Sequence, residues 1–484
     1  MRIAIVSPEA VPFAKTGGLA DVAGALPKEL AQAGHEVRLI MPKYRAVDAA
    51  KFGLVRNENS LLVPLGDKTV AGEIFTSSQD GFTAIFIGND EYFARDELYG
   101  NKTGDFPDNA SRFTFFSKGV LQCLKRLGFV PDVIHVNDWQ SATIPLFLTS
   151  IYRNDPFFRK TATLLTIHNL GYQGLFWHLD MPLLGVGWEY FTPEGIEFWG
   201  KINFLKAGIV YADLINTVSS KYAREITTPE FGFGLDGVLR ARSKDLFGIV
   251  NGIDTEIWNP RTDTLITKRY GPETLADKLE NKKTLLNEFY LPQKPDTPLI
   301  GIISRLADQK GFDILAEAMK EIMAMDLMMV VLGTGEARYH ELLTRLGKSY
   351  PTRLGVKLAF NLGLSHLIEA GADMFLMPSH YEPCGLNQMM SMRYGTVPVV
   401  RDTGGLSDTV IDYREKTKTG TGVTFTDYNA ESLVAAIRRA LALYAKKAHW
   451  ETIIKNGMST DFSWRASAEK YERLYGEAVK KKIM

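Results

Sequence analysis

The string Thr-Gly-Gly-Leu occurs twice, as Thr16-Gly17-Gly18-Leu19 near the start and as Thr403-Gly404-Gly405-Leu406 late in the chain. Each copy follows a short apolar run, Ile3-Ala4-Ile5-Val6-Ser7 before the first and Val397-Pro398-Val399-Val400 before the second. Continuous runs of this kind suit parallel strands buried on both faces. Beyond the first copy, Val22, Leu26 and Leu30 recur at every fourth position and predict a helix. Pro27 inside that helix predicts a kink or a restart near residues 25–27. Glycines after a strand let the backbone approach a ligand, and the helix start beyond offers unpaired N–H groups to an anion. Lys15 adds a mobile positive charge, which makes the first copy a candidate phosphate loop. A glycine pair that serves only as a tight connection fits the same residues. Two strand–loop–helix units predict an α/β chain of two doubly wound sheets facing across a cleft.

A chain of 484 residues exceeds one ordinary core and predicts two or three domains. Lys plus Arg and Asp plus Glu both number 56, so no net charge favours nucleic acid or an anionic membrane as partner. No apolar stretch approaches the ~20 residues that span a bilayer. The first residues enter a strand with no signal-peptide apolar region ahead of it, so a cytoplasmic location is expected. Only Cys123 and Cys384 occur, without a Cys-x-x-Cys, which argues against a disulfide framework or a zinc site.

In chain order, Val37–Pro42 reads as the second strand, and residues 51–90 hold short alternating runs, such as Thr83–Ile87, that suit a hairpin insertion. A helix is expected over Phe113–Leu127, with its aromatics in the core. Two strand ends then carry polar residues: Val133–Val136 leads into Asn137-Asp138-Trp139, and Leu164–Ile167 into His168-Asn169. Ligands of open α/β sheets sit outside such carboxyl ends. Asp138 is either part of a site or the N-cap of the next helix. The aromatics of residues 186–204 suit either a sugar-stacking surface or a packed helix pair. Leu214–Ser219 and Gly248–Asp254 read as late strands, and the turn signal Asn251-Gly252 precedes the expected domain boundary.

The second half repeats the pattern. Leu299–Ser304 leads to Arg305 and Lys310, Met328–Leu332 to Gly333-Thr334-Gly335, and Met374–Pro378 to a loop holding Glu382, Cys384, Gly385 and Leu386. Arg305 and Lys310 suit a diphosphate or ordinary surface salt bridges. Glu382, next to Pro383, is a carboxylate that can bind sugar hydroxyls or balance an oxocarbenium-like transition state. No Asp-x-Asp or His-x-x-x-His occurs, so diphosphate neutralisation would fall to Lys, Arg and helix N-termini, without metal. No Gly-x-Gly-x-x-Gly follows directly on a strand, which counts against a dinucleotide dehydrogenase.

Six separated motifs together resemble the bacterial glycogen synthases and plant starch synthases: Lys15–Val22, Asn137-Asp138-Trp139, His168–Gly174, Ser304-Arg305-Leu306 with Gln309-Lys310-Gly311, Glu382–Leu386 and Thr403–Leu406. The resemblance runs on to Asp461-Phe462-Ser463-Trp464. It implies a GT-B fold of two Rossmann-like domains, 1–252 and 253–462, with a closing helix over 463–484 that returns to the first domain. It implies an enzyme that transfers glucose from ADP-glucose, with retention, to the non-reducing end of an α-1,4-glucan. ADP-glucose would be a substrate, and no resident cofactor is implied. Lys15, Gly17 and Gly18 would lie at the donor diphosphate and sugar, with Arg305 and Lys310 clasping the diphosphate. Glu382, Cys384, Gly385 and Leu386 would line the glucosyl and ribose-phosphate side, with Thr403 in the neighbouring loop. Asp138, His168 and Asn169 would face the reacting sugar, Phe360 would stack on adenine, and Tyr99 would lie near the donor. Many members have His where this chain has Asn137, some have Thr where it has Asn387, and many GT-B enzymes carry a second glutamate where it has Met390. A UDP-glucose-dependent synthase, an inactive glucan-binding protein and a glucan phosphorylase are the alternatives, the last without a stretch that argues for its pyridoxal phosphate lysine. Oligomeric state is not encoded in these motifs.

Overall fold

The computed structural model describes residues 1–102 and 104–483. The chain divides into two compact units, the first built from Met1–Val218, Ala223–Ile249 and the closing helix, the second from Ser219–Tyr222 and Val250–Ser463.

The first unit is organised on a nine-stranded sheet. Its order is Leu246–Gly248, Leu214–Thr217, Ala162–Ile167, Val133–Asn137, Arg2–Val6, Glu36–Pro42, Thr83–Gly88, Lys68–Ser78 and Val55–Leu65. The first seven are parallel, and the last two are antiparallel additions. The run Ile3–Val6 is fully buried, as a strand covered on both faces requires. Thr83–Ile87 has two roles: it pairs parallel with Glu36–Pro42 as a member of the main sheet, and through the turn at 79–82 it forms a hairpin with Lys68–Ser78, whose other edge pairs with Val55–Leu65.

Gly18–Gln32 forms one helix that passes through Pro27 without a restart, with Val22, Leu26, Pro27 and Leu30 buried. The helix Asn109–Arg126 buries Phe113, Phe115 and Phe116 in the core. The late strand ends earlier than its apolar run suggests. Leu246–Gly248 pairs with Leu214–Thr217, Ile249 gives the last bond to Thr217 O at 2.9 Å, and there the partner strand stops. Asn251-Gly252 continues as irregular chain rather than as a turn. Residues 186–204 form no helix pair. A single turn at Trp188–Tyr190 precedes the short strands Glu197–Phe198 and Lys201–Asn203, which pair with each other, and Lys201–Asn203 pairs on its other side with Leu175–Trp177. Trp188 and Trp199 are exposed there.

The closing helix Trp464–Ile483 packs on Gly18–Gln32 and on strand Ala162–Ile167. Polar contacts fix its angle: Tyr475 OH meets His135 Nδ1 at 2.9 Å, and Asn216 Nδ2 donates to Tyr471 OH at 3.1 Å.

The second unit is a six-stranded, all-parallel sheet in the order Leu354–Lys357, Met328–Leu332, Leu299–Ile303, Met374–Met377, Val397–Arg401 and Val423–Phe425. Helices Phe312–Ala324 and Ala430–Tyr444 lie against each other on one side, and their Leu315, Met319, Ile322, Leu433 and Ile437 fill the core with the strand residues. The parallel order places every strand end that carries a polar loop on one edge of this sheet.

Candidate functional site

In the first unit, the loop before the helix Gly18–Gln32 is built around a carboxylate. Glu9, only 2% exposed, leaves the end of the first strand and turns back under the loop. Its Oε2 accepts from Thr16 N at 2.8 Å and Thr16 Oγ1 at 2.5 Å, and its Oε1 accepts from Gly17 N at 3.1 Å. Ser7 Oγ donates to the Glu9 carbonyl at 2.6 Å and fixes its backbone. Burial raises the Glu9 carboxyl above its ordinary range, against the pull of these donors. Lys15 is exposed and donates to both carboxylate oxygens of Asp21, at 2.7 and 2.8 Å. Gly17 has extended backbone, φ −150°, and a Cβ there would meet nothing closer than Glu9 Oε1 at 3.7 Å. Neither conformation nor packing within the protein requires glycine at this position.

Asp138 shares this neighbourhood, since the Glu9 charge contributes to raising its carboxyl. It is held in the left-handed region at φ +52°, a strained conformation for a residue with a side chain. It does not cap the following helix, which starts at Ile144. Its Oδ1 accepts from His168 N at 2.7 Å, with a further backbone bond from Asn169, so the carboxyl ties two strand ends together. Burial raises its pKa to about 7, with the two backbone bonds opposing.

His168 Nε2 lies 2.9 Å from Asn137 Oδ1, while Asn137 Nδ2 donates to Val6 O at 3.1 Å. With the amide oriented by Val6, the oxygen faces the imidazole, so Nε2 carries the proton and Nδ1 is left as an acceptor. Burial lowers the His168 pKa to about 3, so the ring is neutral near pH 7. Asn169 Oδ1 accepts from Gly171 N at 2.9 Å and shapes the turn after the strand. The Tyr99 hydroxyl is buried near Glu9, and burial lifts its pKa well above the ordinary phenol range. The first unit thus gathers Gly17, Tyr99, Asp138, His168 and Asn169, with Lys15 and Gly18 flanking.

In the second unit, Lys310 Nζ donates to Glu382 Oε2 at 2.6 Å, and Ser379 Oγ adds a bond at 3.0 Å. Glu382 is 5% exposed. The loop carrying it rests on the second glycine pair. Gly405 N donates to Glu382 O at 2.9 Å, and a Cβ on Gly404 or Gly405 would fall 1.9 Å from Glu382 O or 2.0 Å from Cys384 O. Thr403, nearly fully buried, N-caps the short helix Gly404–Thr409 with its extended backbone. Cys384 is buried, which pushes its thiol up to about 12 and leaves it a small apolar filler rather than a nucleophile. Gly385 has φ +71° and Leu386 starts the helix Asn387–Arg393. Asn387 Nδ2 donates to Ile303 O at 2.8 Å, which joins this loop to the strand that leads to Arg305. Met390 is buried on the same helix. Arg305 is exposed, and Phe360 is 84% exposed after strand Leu354–Lys357, just ahead of the N-cap Asn361.

Sequence reasoning passed over Glu9 and gave Asn137 no role of its own. Their significance is geometric: one carboxylate satisfies a glycine loop, and one amide chooses a histidine tautomer. Each unit offers cations, hydrogen-bonding groups and buried carboxylates near its strand ends: Glu9 and Asp138 in the first and Glu382 in the second. Such a set suits transfer of a sugar from a phosphate leaving group.

Comparison with known proteins gives the same direction. Residues 2–241 match the family model described as starch synthase catalytic domain, and residues 287–457 match glycosyl transferases group 1. The chain is 46% identical to the glycogen synthase of Syntrophotalea carbinolica, with 99% of each chain covered, and 47% identical to that of Thermosipho africanus over the whole of both. Among solved structures, the catalytic domain of Starch Synthase IV from Arabidopsis thaliana bound to ADP and acarbose superposes with TM-score 0.90 at 32% identity, covering 99% of each chain. Sucrose-phosphate synthase from Thermosynechococcus elongatus, at 20% identity and TM-score 0.61 over 98% of each chain, shares the fold.

Proposed function

From the premise that this chain belongs to the glycogen and starch synthase family of GT-B glucosyltransferases, we propose that its donor is ADP-glucose. It transfers glucose with retention to the 4-hydroxyl at the non-reducing end of an α-1,4-glucan and releases ADP. The ADP bound to the starch synthase relative supports the adenine nucleotide. The observation that carries the reading is Gly17 beside the exposed Lys15: a glycine that the protein's own packing does not demand, next to a cation paired with the half-buried carboxylate of Asp21.

In this reading Lys15, Arg305 and Lys310 supply positive charge to the departing diphosphate. Glu382 balances the positive charge that develops on the glucosyl ring, and Lys310 exchanges its bond to Glu382 for one to phosphate. The neutral His168 and its backbone, placed by Asp138 and Asn137, position the sugar without adding charge. Gly18, Tyr99 and Asn169 shape the donor side in the first unit, as Cys384, Gly385, Leu386 and Thr403 do in the second, and Phe360 offers a face for adenine. No residue is placed as a covalent nucleophile in this scheme, and the acceptor hydroxyl attacks on the face the diphosphate leaves. No helix among the described residues is long and apolar enough to cross a membrane, in keeping with work in the cytoplasm.

The test is release of ADP or UDP from each sugar nucleotide, with and without glycogen. ADP-glucose with glycogen should give the fastest release, and Lys15→Ala and Glu382→Gln should each lower it about 100-fold. Equal rates with UDP-glucose would reject the donor assignment, and near wild-type turnover in either variant would reject that residue's role.

A further inference from the structure

A glycine loop that opens a helix is ordinarily read as a cradle whose free N–H groups await an anion. Here two of those groups are already taken. The Thr16 and Gly17 amides and the Thr16 hydroxyl all donate to the Glu9 carboxylate, which is buried and anchored through its own backbone to Ser7. The chain from residue 9 to the loop is closed by further bonds: Ala10 and Ala14 exchange N–H donors at 3.1 and 3.0 Å, and Val11 N donates to Ala20 O at 3.0 Å. Glu9 thus sits where the loop folds back, with three donors converging on two oxygens.

We propose that Glu9 is the positioning residue of the first glycine loop. Its carboxylate serves as a permanent internal anion that satisfies the Thr16 and Gly17 amides. Those amides are then committed to the protein, and the loop meets the donor through Lys15 and the open face of Gly17. The inference deepens the glucosyl-transfer reading and rests on it only for the kinetic half of its test.

The chemistry explains why glutamate is suited to the position. An ionised carboxylate only accepts, so both oxygens can face donors. A glutamine in the same space presents an NH2 to one of them, and an aspartate is one methylene too short to span the turn. The Tyr99 hydroxyl and Asp138 carboxyl lie in the same buried neighbourhood, so a displaced Glu9 side chain would enter space that the donor side needs.

The experiment compares wild type with Glu9→Gln, Thr16→Val and Thr16→Ser in two measurements. The first is amide hydrogen exchange over residues 10–20, which needs no substrate and no functional assumption. Glu9→Gln should speed exchange there about tenfold or more, and Thr16→Ser should behave as wild type. The second is steady-state kinetics with ADP-glucose and glycogen. Glu9→Gln and Thr16→Val should lower kcat/KM for the donor by about tenfold, with the KM for glycogen unchanged, and their combination should lose little more than Glu9→Gln alone. Unchanged exchange in Glu9→Gln overturns the clamp, whatever the substrate proves to be. Faster exchange with additive losses, or with donor and acceptor KM rising together, overturns the positioning role in favour of a general structural one. If wild type itself transfers nothing from ADP-glucose, the functional reading fails while the exchange result still decides the role of Glu9.

Discussion

The two Thr-Gly-Gly-Leu loops share their letters and little else. The first is held from below by a side chain, with Glu9 accepting from Thr16 and Gly17. Its Gly17 is in extended backbone with room for a side chain. The second is held by backbone. Gly405 N binds Glu382 O, and both glycines lie so close to the Glu382–Cys384 segment that a Cβ would overlap its carbonyls. Gly404 also has φ +46°, in the region that favours glycine. Identical sequence therefore answers two demands. In the second copy glycine lets one loop support another and so fixes the Glu382 carboxylate, while in the first it leaves an open face beside a lysine.

Substitutions can break this contrast. Gly405→Ala forces a Cβ to 2.0 Å from the Cys384 carbonyl, so it should lower stability by about 3 kcal/mol, seen as a lower urea midpoint, and carry activity down with it. A variant of wild-type stability would mean that the second loop relaxes freely and that the contrast is overstated.

Acid probes the first unit by a different route. His135, buried between Tyr475 and Thr166, has its pKa lowered to about 3. In the unfolded chain an imidazole takes up its proton near pH ~6.5. The unfolded state therefore binds more protons in this window, and the stability contribution, complete above that pH, is lost as pH falls toward about 3. From this residue alone the loss should be about 2 kcal/mol between pH 6 and 4.5. His135→Gln should flatten that part of the stability curve measured by urea titration at each pH, and an unchanged slope would remove His135 as its source.

Much of this architecture is legible in the sequence because buried parallel strands leave continuous apolar runs, and the loops after them concentrate glycine and charge. Ile3–Val6, Val133–Val136 and Leu299–Ile303 were readable for that reason, and so was the place of Asp138, His168 and Glu382 at strand ends. The bounds of the strand Val55–Leu65 were not, because its first half, Arg56 through Ser60, is polar and largely exposed, with a register shift against its partner. Gly248–Asp254 misled in the opposite sense: the apolar pattern outlasts the partner strand it needs. The site was legible in its residue types and not in its pairings. Nothing in the order of residues 9–17 says that Glu9 closes back on Thr16, and nothing near Asn137 says that its oxygen faces His168. Those links depend on where strands end relative to one another, which only the folded chain fixes.

The smallest change in the molecule tests the contrast between the loops most directly. Gly17→Ala adds one methyl where the protein has space and where the backbone already suits alanine. Measured together, its urea midpoint should stay at the wild-type value or rise by the equivalent of about 0.5 kcal/mol, while its transfer rate from ADP-glucose should fall about tenfold. A variant that keeps both its stability and its full transfer rate would contradict the claim that this glycine exists for the ligand.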